Sequence, residues 1–276
     1  MSNFVRSMKY RLIALDLDGT LTTDDKRVTP FTQSVLMKAQ EQGVRIVLAS
    51  GRPVYGMSPI ASLLRLSDYG GFVMACNGGA IVDCRSARHI YNRYLDSSLI
   101  SEIYDYSRGD GFEILAYVGE NVVSENPGNP YVLRACMING MKPLKVERFP
   151  SGLRTEVNKC IIVGDEKPLA DLEQRIKSRR DGRFDLYRSS YCFLEIVPKG
   201  VDKASALQMI AEGEGIPRSE VVAFGDGYND VSMIEYAGLG VAMENADPFI
   251  RSRADYVAPS NNDEGVGIVL QKLMGG

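Results

Sequence analysis

Histidine is nearly missing from this sequence. His89 is the only one among 276 residues, and it stands in Arg88-His89-Ile90-Tyr91 with no carboxylate or glycine pattern beside it. A Ser-His-Asp or Cys-His engine, or a histidine-rich zinc or iron site, would have to draw on that one side chain. His89 therefore reads as a surface or packing residue, and catalysis here has to run on carboxylates, lysine and a hard metal. The cysteines are few and scattered. Cys76, Cys84, Cys136, Cys160 and Cys192 form no Cys-x-x-Cys pair, and an odd count leaves at least one unpaired in any monomeric disulfide scheme. They read as small buried hydrophobes, with a reducing compartment as the default. Long apolar runs are absent too. Leu12-Ile13-Ala14-Leu15 is too short for a signal peptide and is cut by Asp16, and no stretch approaches the roughly 20 apolar residues of a membrane helix. Charge of one sign is not in excess: the net charge is −3, which gives no reason to expect nucleic acid or a membrane surface as partner. The expectation is a soluble, cytoplasmic protein.

What is present is ordinary for a globular chain of one large or two moderate domains, with 45% hydrophobic and 24% charged residues. Arg11 to Asp16 is a nearly continuous apolar run, the pattern of a strand buried on both faces. Thr29-Pro30 marks a helix start and Gly43 a stop. Residues 44–49 and 71–76 read as further buried strands. The pattern returns near the C-terminus, with a helix over 203–212, strand 221–224, a short helix over 231–237, and strands 240–243 and 254–258. Strands alternating with helices predict an α/β fold with a doubly wound parallel sheet.

The middle of the chain differs. Helix-like stretches at 96–108 and 168–179 mix with short strand-like runs at 112–118, 158–163, 184–187 and 191–197, broken near the centre by Pro127, Gly128 and Pro130. This predicts an α+β unit, residues 85–192, inserted into a core made of 1–84 and 193–276. The basic run Lys177-Ser178-Arg179-Arg180, with Arg183 nearby, reads as a solvated helix end, where cations suit the dipole. The residues before Met8 read as an extension ahead of the first strand.

Polar clusters close three of the apolar strands: Asp16-Leu17-Asp18-Gly19-Thr20, Ser50-Gly51-Arg52-Pro53 and Gly225-Asp226-Gly227-Tyr228-Asn229-Asp230. Ligands of open parallel sheets bind outside the carboxyl ends of the strands, so these segments converge on one crevice. Each alone is an ordinary turn; together they bring in Asp16, Asp18, Asp226 and Asp230. Like charges so close raise one another's pKa unless a cation joins them. An all-oxygen ligand set suits Mg²⁺. The Ser50 hydroxyl and glycine-flanked N–H groups can hold phosphate oxygens. A carboxylate nucleophile, a second acid two residues on, a metal and a cation describe phosphoryl transfer through an aspartyl phosphate. Lys203 is the candidate cation, since in the first turn of its helix it opposes the dipole. Lys199 reads as a surface residue.

In order, Asp16 to Leu21, Ser50 to Pro53, Lys203 and Gly225 to Asp230 resemble the four motifs of the haloacid dehalogenase superfamily, and the insertion resembles the type IIB (C2B) cap of its Cof-like branch. Asn77-Gly78, Phe193 to Ile196, Met233 to Gly238 and Gly240 to Ala246 extend the likeness. Gly79 and Glu244 depart from it, the latter adding charge near the site that bears on metal or substrate preference. The resemblance implies a Rossmann-like core and a Mg²⁺-dependent phosphatase of small phosphate esters, sugar phosphates foremost. A phosphomutase and a non-catalytic binding module are the alternatives; loss of Asp16 or Asp18 would have signalled the latter. The implied roles are as follows. Asp16 attacks phosphorus and ligates the metal. Asp18 acts as acid and then base, and lends its backbone carbonyl to the metal. Ser50 and Lys203 bind the phosphoryl group. Asp226 ligates the metal, with Asp230 behind it. Gly19, Gly51, Arg52 and Asn229 contact phosphate, Asn229 alternatively holding Lys203.

Overall fold

A computed structural model describes residues 9–108, 111–179 and 182–275. The extension before Met8 and Arg180 of the basic run lie outside the described residues. The chain begins with β1 (Leu12–Leu15), α1 (Pro30–Glu41), β2 (Arg45–Ala49), α2 (Val54–Leu63), α3 (Leu66–Tyr69) and β3 (Phe72–Ala75), then β4 (Ala80–Asp83) and β5 (Arg88–Asn92). Pro30 opens α1, and Thr29 caps it by accepting the Thr32 N–H, the pairing of a hydroxyl cap with a proline whose missing donor costs nothing there.

The central stretch runs through α4 (Ser97–Ser107), β6 (Glu113–Val118), β7 (Asn121–Ser124), α5 (Pro130–Asn139), β8 (Lys142–Lys145), α6 (Phe149–Gly152), β9 (Cys160–Val163), α7 (Glu166–Arg179), β10 (Phe184–Ser190) and β11 (Phe193–Pro198). The C-terminal stretch adds α8 (Lys203–Gly213), β12 (Val221–Gly225), α9 (Val231–Tyr236), β13 (Leu239–Met243), α10 (Pro248–Arg251), β14 (Tyr256–Ala258) and α11 (Gly265–Gly275).

Two compact units result, Met1–Ile90 with Asp202–Gly276, and Tyr91–Val201. The first is built on a sheet of order β14-β13-β12-β1-β2-β3-β4-β5. From β14 to β3 every neighbour is parallel; β4 returns antiparallel to β3. From β1 the chain winds outward one way through β2 and β3 and the other way through β12 to β14. The carboxyl ends of β1 and β12 therefore flank the switch point, where a crevice forms. The four residues of β1 are all buried in a core that includes Ile13, Leu15, Leu48, Phe224 and Val241. The β4–β5 return escaped sequence reading because β5, which carries His89, is mostly exposed and has no apolar run. All five cysteines lie within the described residues, and no disulfide joins any of them.

The second unit is a sheet of order β10-β11-β9-β6-β7-β8 with helices. Its boundary differs from the expected 85–192: β11 pairs with β10 and β9, so residues 193–201 go with this unit, whereas 85–90 go with the first. Pro130 does not break the centre but starts α5, with Asn129 accepting the Tyr131 N–H at 2.9 Å. Lys177 pairs with Glu173 one turn back, and Arg183 with Glu102. Among the described residues no helix is long and apolar enough to cross a membrane.

A buried ion pair crosses this second sheet. Lys159 Nζ lies 2.7 Å from Glu195 Oε2, both side chains almost fully buried; the Tyr187 hydroxyl donates to the same oxygen, and the ammonium sits over the Tyr117 ring. Removing one partner strands a charge in low dielectric. Lys159→Met is expected to destabilise the protein by roughly 3–5 kcal/mol, with Lys159→Met/Glu195→Met recovering much of the loss. Urea unfolding of both variants measures this; equal losses in the two would contradict it.

Candidate active site

Asp16 directly follows β1, and its N–H continues the ladder to the Phe224 carbonyl at 3.0 Å. A carboxylate there is carried to the sheet's end by a fully buried strand paired on both sides, and it is itself buried. Lys203 reaches it from the first turn of α8. Asp202 caps that helix by accepting the N–H groups of Ala204 (2.8 Å) and Ser205 (3.1 Å), which fixes where Lys203 starts. Lys203 is wholly buried. Its ammonium donates to Asp16 Oδ1 (2.6 Å), Asp230 Oδ1 (2.5 Å) and the Ala49 carbonyl (3.0 Å), so its three donors are all used.

Asp230 closes its own loop as well, its Oδ2 accepting the N–H of Asp226 (3.1 Å) and Gly227 (2.8 Å). Asp226 Oδ1 accepts the Thr20 hydroxyl at 2.7 Å. One carboxylate oxygen from each of Asp16, Asp226 and Asp230 falls within 4.8 Å of the others. Gly19 makes this packing possible: its φ is +86°, and a Cβ there would stand 2.3 Å from Asp226 Oδ2. Its carbonyl accepts the Asn245 amide.

Asp18 is placed differently. Its carboxylate is gripped by Arg52, Nε to Oδ2 at 2.8 Å and Nη2 to Oδ1 at 2.6 Å, and by Lys26 at 2.8 Å. The side chain thus stands outside the three-acid cluster, which leaves only its backbone for a metal. Arg52, expected at phosphate, has its guanidinium committed to Asp18 in this arrangement, while its N–H donates to Ser50 Oγ at 3.2 Å. Asn229 donates to Asn77 Oδ1 at 3.0 Å; with every Lys203 donor used, it does not hold that lysine. Glu244 is exposed, its N–H bonded to the Ala258 carbonyl, and it is not one of the three clustered acids.

The electrostatics follow from burial. Asp16 is pushed well above the usual carboxylate range by burial and then by Asp230, with Lys203 opposing. Burial raises Asp226 to about 6, Thr20 opposing and Asp230 adding to it. For Asp18 burial also acts upward, but Arg52 and Lys26 outweigh it and hold the group below its ordinary value. Burial likewise acts against the Lys203 charge, and Asp16 and Asp230 overcome it, so the ammonium is held more tightly than usual. Such an arrangement holds one carboxylate oxygen fixed by a lysine beside a second, separately tuned acid. Thr20, Lys26, Asn77 and Asn245 join the site without having been given a role from the sequence, although Asn77 and Asn245 lie in segments that extended the family likeness. Thr20 stood in the first cluster and Asn77 before a glycine; Lys26, in a charged turn, offered no signal.

A family model described as haloacid dehalogenase-like hydrolase matches residues 13–270. Among curated proteins, an HMP-PP phosphatase of Serratia proteamaculans is 31% identical over 245 residues, covering 88% of this chain and 87% of its own. A 5-amino-6-(5-phospho-D-ribitylamino)uracil phosphatase of Bacillus subtilis is 29% identical, covering 95% and 94%. A crystal structure of a haloacid dehalogenase-like hydrolase from Bacteroides thetaiotaomicron is 41% identical, with a TM-score of 0.92 over 96% of this chain and 99% of that one.

The raised Asp226 carboxyl makes a stability prediction. A carboxyl whose folded pKa exceeds its unfolded value near 3.9 favours folding only while protonated, and that contribution is lost as pH rises through the folded value. Asparagine at 226 cannot ionise and can still accept from Thr20. In chelator, the thermal midpoint of Asp226→Asn should therefore gain on the parent protein as pH rises from about 4 to about 7. A difference that does not vary with pH would contradict it.

Proposed function

This chain belongs to the haloacid dehalogenase-like hydrolase family, and on that premise we propose that it is a Mg²⁺-dependent phosphatase of small phosphorylated metabolites, sugar phosphates among them, working through an aspartyl phosphate on Asp16. The observation that carries the reading is the buried Asp16–Lys203–Asp230 arrangement at the carboxyl end of β1. Names of relatives that include two phosphatases of small phosphorylated compounds support the substrate class. We take the second unit, Tyr91–Val201, as the counterpart of the cap expected over residues 85–192.

The donors fit a hard cation. Asp16, Asp226 and the Asp18 backbone would hold Mg²⁺, with Asp230 behind them; the cluster offers carboxylate oxygens alone, and its raised acids are relieved by positive charge. Bound there, Mg²⁺ supplies charge that screens Asp16 from the phosphate and stabilises the transferring group.

The residues supply the rest. Lys203 holds Asp16 Oδ1, leaving Oδ2 as the nucleophile that attacks phosphorus. As the ester P–O bond breaks, Asp18 delivers a proton to the departing oxygen. Asp18, now a carboxylate, takes a proton from water, whose oxygen attacks phosphorus, releases inorganic phosphate and regenerates Asp16. Ser50 and the backbone near Gly19 and Gly51 hold the phosphoryl oxygens, while Lys203, its donors committed to Asp16, Asp230 and Ala49, offsets their charge from behind Asp16 rather than binding them directly as the sequence implied. The low pKa of Asp18 suits the second, basic step; the acid step requires Arg52 and Lys26 to loosen their grip.

Two variants test this. Asp16→Asn should lose hydrolysis by on the order of 10⁴-fold or more, since the amide is no nucleophile. Asp18→Asn should lose about 10²–10⁴-fold, yet accumulate phosphoenzyme with a substrate whose leaving group needs no acid. Mass spectrometry of the intact proteins detects the adduct. Phosphoenzyme in Asp16→Asn, or near-normal turnover by it, would sink the proposal.

A further inference from the structure

The turn after β3 is the most unusual backbone in the first unit. Cys76 (φ 52°), Asn77 (φ 57°, ψ 32°) and Gly78 (φ 98°) are three successive residues in left-handed conformation. Only glycine adopts it freely, with asparagine among the best tolerated of the others. Such a run persists where its surroundings impose it, and it clusters at functional sites. Here the surroundings are two of the loops already described and the start of α8. The Cys76 N–H donates to the Arg52 carbonyl and the Asn77 N–H to the Ser50 carbonyl, both at 2.9 Å. Gly78 lies against α8: a Cβ there would stand 2.5 Å from the carbonyl of Asp202, the residue before Lys203.

The Asn77 side chain makes the third link. Its Oδ1 accepts from Asn229 Nδ2 at 3.0 Å, spanning 152 positions of sequence. Its amide also lies against Gly51, where a Cβ would come within 3.3 Å of Nδ2 and 3.4 Å of Oδ1. One side chain thus touches the loop after β2 and the loop after β12.

We infer that Asn77 is a positioning residue, which orients Asn229 toward the transferring phosphoryl group; this rests on the phosphatase reading above. One N–H of Asn229 is taken by Asn77, and the other is left to donate to a phosphate oxygen. The left-handed conformation brings Asn77 Oδ1 into register, so the backbone and the amide serve one purpose. Lys203 needs no help from Asn229, because Asp16, Asp230 and Ala49 already use its donors.

Asn77→Gly separates the amide from the fold, since glycine suits the conformation and keeps the N–H to Ser50. The variant should bind inorganic phosphate about tenfold more weakly, the worth of one well-placed hydrogen bond, and raise KM more than it lowers kcat. Its thermal midpoint should stay within a few degrees of the parent. In a double-mutant cycle, Asn77→Gly should cost nothing further once Asn229 is alanine, the coupling expected of residues that act as one. Independent, additive losses would overturn the inference, as would unchanged phosphate affinity in Asn77→Gly, or a loss that merely follows a fallen thermal midpoint. Phosphate affinity, read by calorimetry, decides the cycle without turnover. Failure of the parent protein to hydrolyse any phosphate ester would instead count against the phosphatase reading.

Discussion

An ammonium group buried in the interior of a protein has to be surrounded by charge, and Lys203 governs this one. Taking such an ion out of water costs several kcal/mol even after relaxation, and here the cost is met by two carboxylates and a carbonyl at 2.5–3.0 Å. Each partner comes from a different strand end: Asp16 after β1, Ala49 at the end of β2, Asp230 beyond β12. The lysine therefore ties the carboxyl ends of three neighbouring strands together. It also sets the local electrostatics, since its charge opposes the burial that raises Asp16. Site and core become one structural problem, because the groups that surround the buried ammonium are also the ends of buried strands.

Close approach is the second constraint, and it falls on glycine. Gly19 lets Asp226 come against the first loop, and Gly51 lets the Asn77 amide lie flat against the second. A methyl group at Gly19 would push Asp226 away from Thr20 and out of the acid cluster. The two acids of the first loop end in opposite states: Asp16 is raised by burial among carboxylates, Asp18 lowered by Arg52 and Lys26. Environments that push neighbouring acids apart are how one site separates a nucleophile from an acid–base group.

Much of this was legible in the sequence, for identifiable reasons. Buried parallel strands are written as short apolar runs, so β1, β2, β3 and β12 stood out, and the polar residues closing them stood out by contrast. Lys203 was visible because a lysine in the first turn of a helix opposes the dipole. The illegible parts depend on long-range partners or lack an apolar pattern. Nothing near Lys26 signals Asp18, and nothing near Thr20 points to an aspartate 206 positions away. The exposed β5 carries no hydrophobic run. Pro130 reads as a break or as a helix start, and only Asn129 beside it, as a cap, decides for the start. β11 follows the central unit closely in sequence and continues its sheet, yet its Phe193-Leu194-Glu195-Ile196 segment is apolar enough to read as core.

The Lys203 arrangement fixes one oxygen of Asp16, and the proposed mechanism uses the other as the nucleophile, whereas a bystander ligand would leave the attack to water. The stereochemical course at phosphorus distinguishes the two directly. Hydrolysis of a chiral phosphorothioate ester in isotopically labelled water, followed by configurational analysis of the thiophosphate released, counts the displacements. Attack by Asp16 followed by attack of water inverts phosphorus twice, so net retention is expected. Net inversion would show that water attacks the substrate in a single step, and Asp16 would then be no nucleophile.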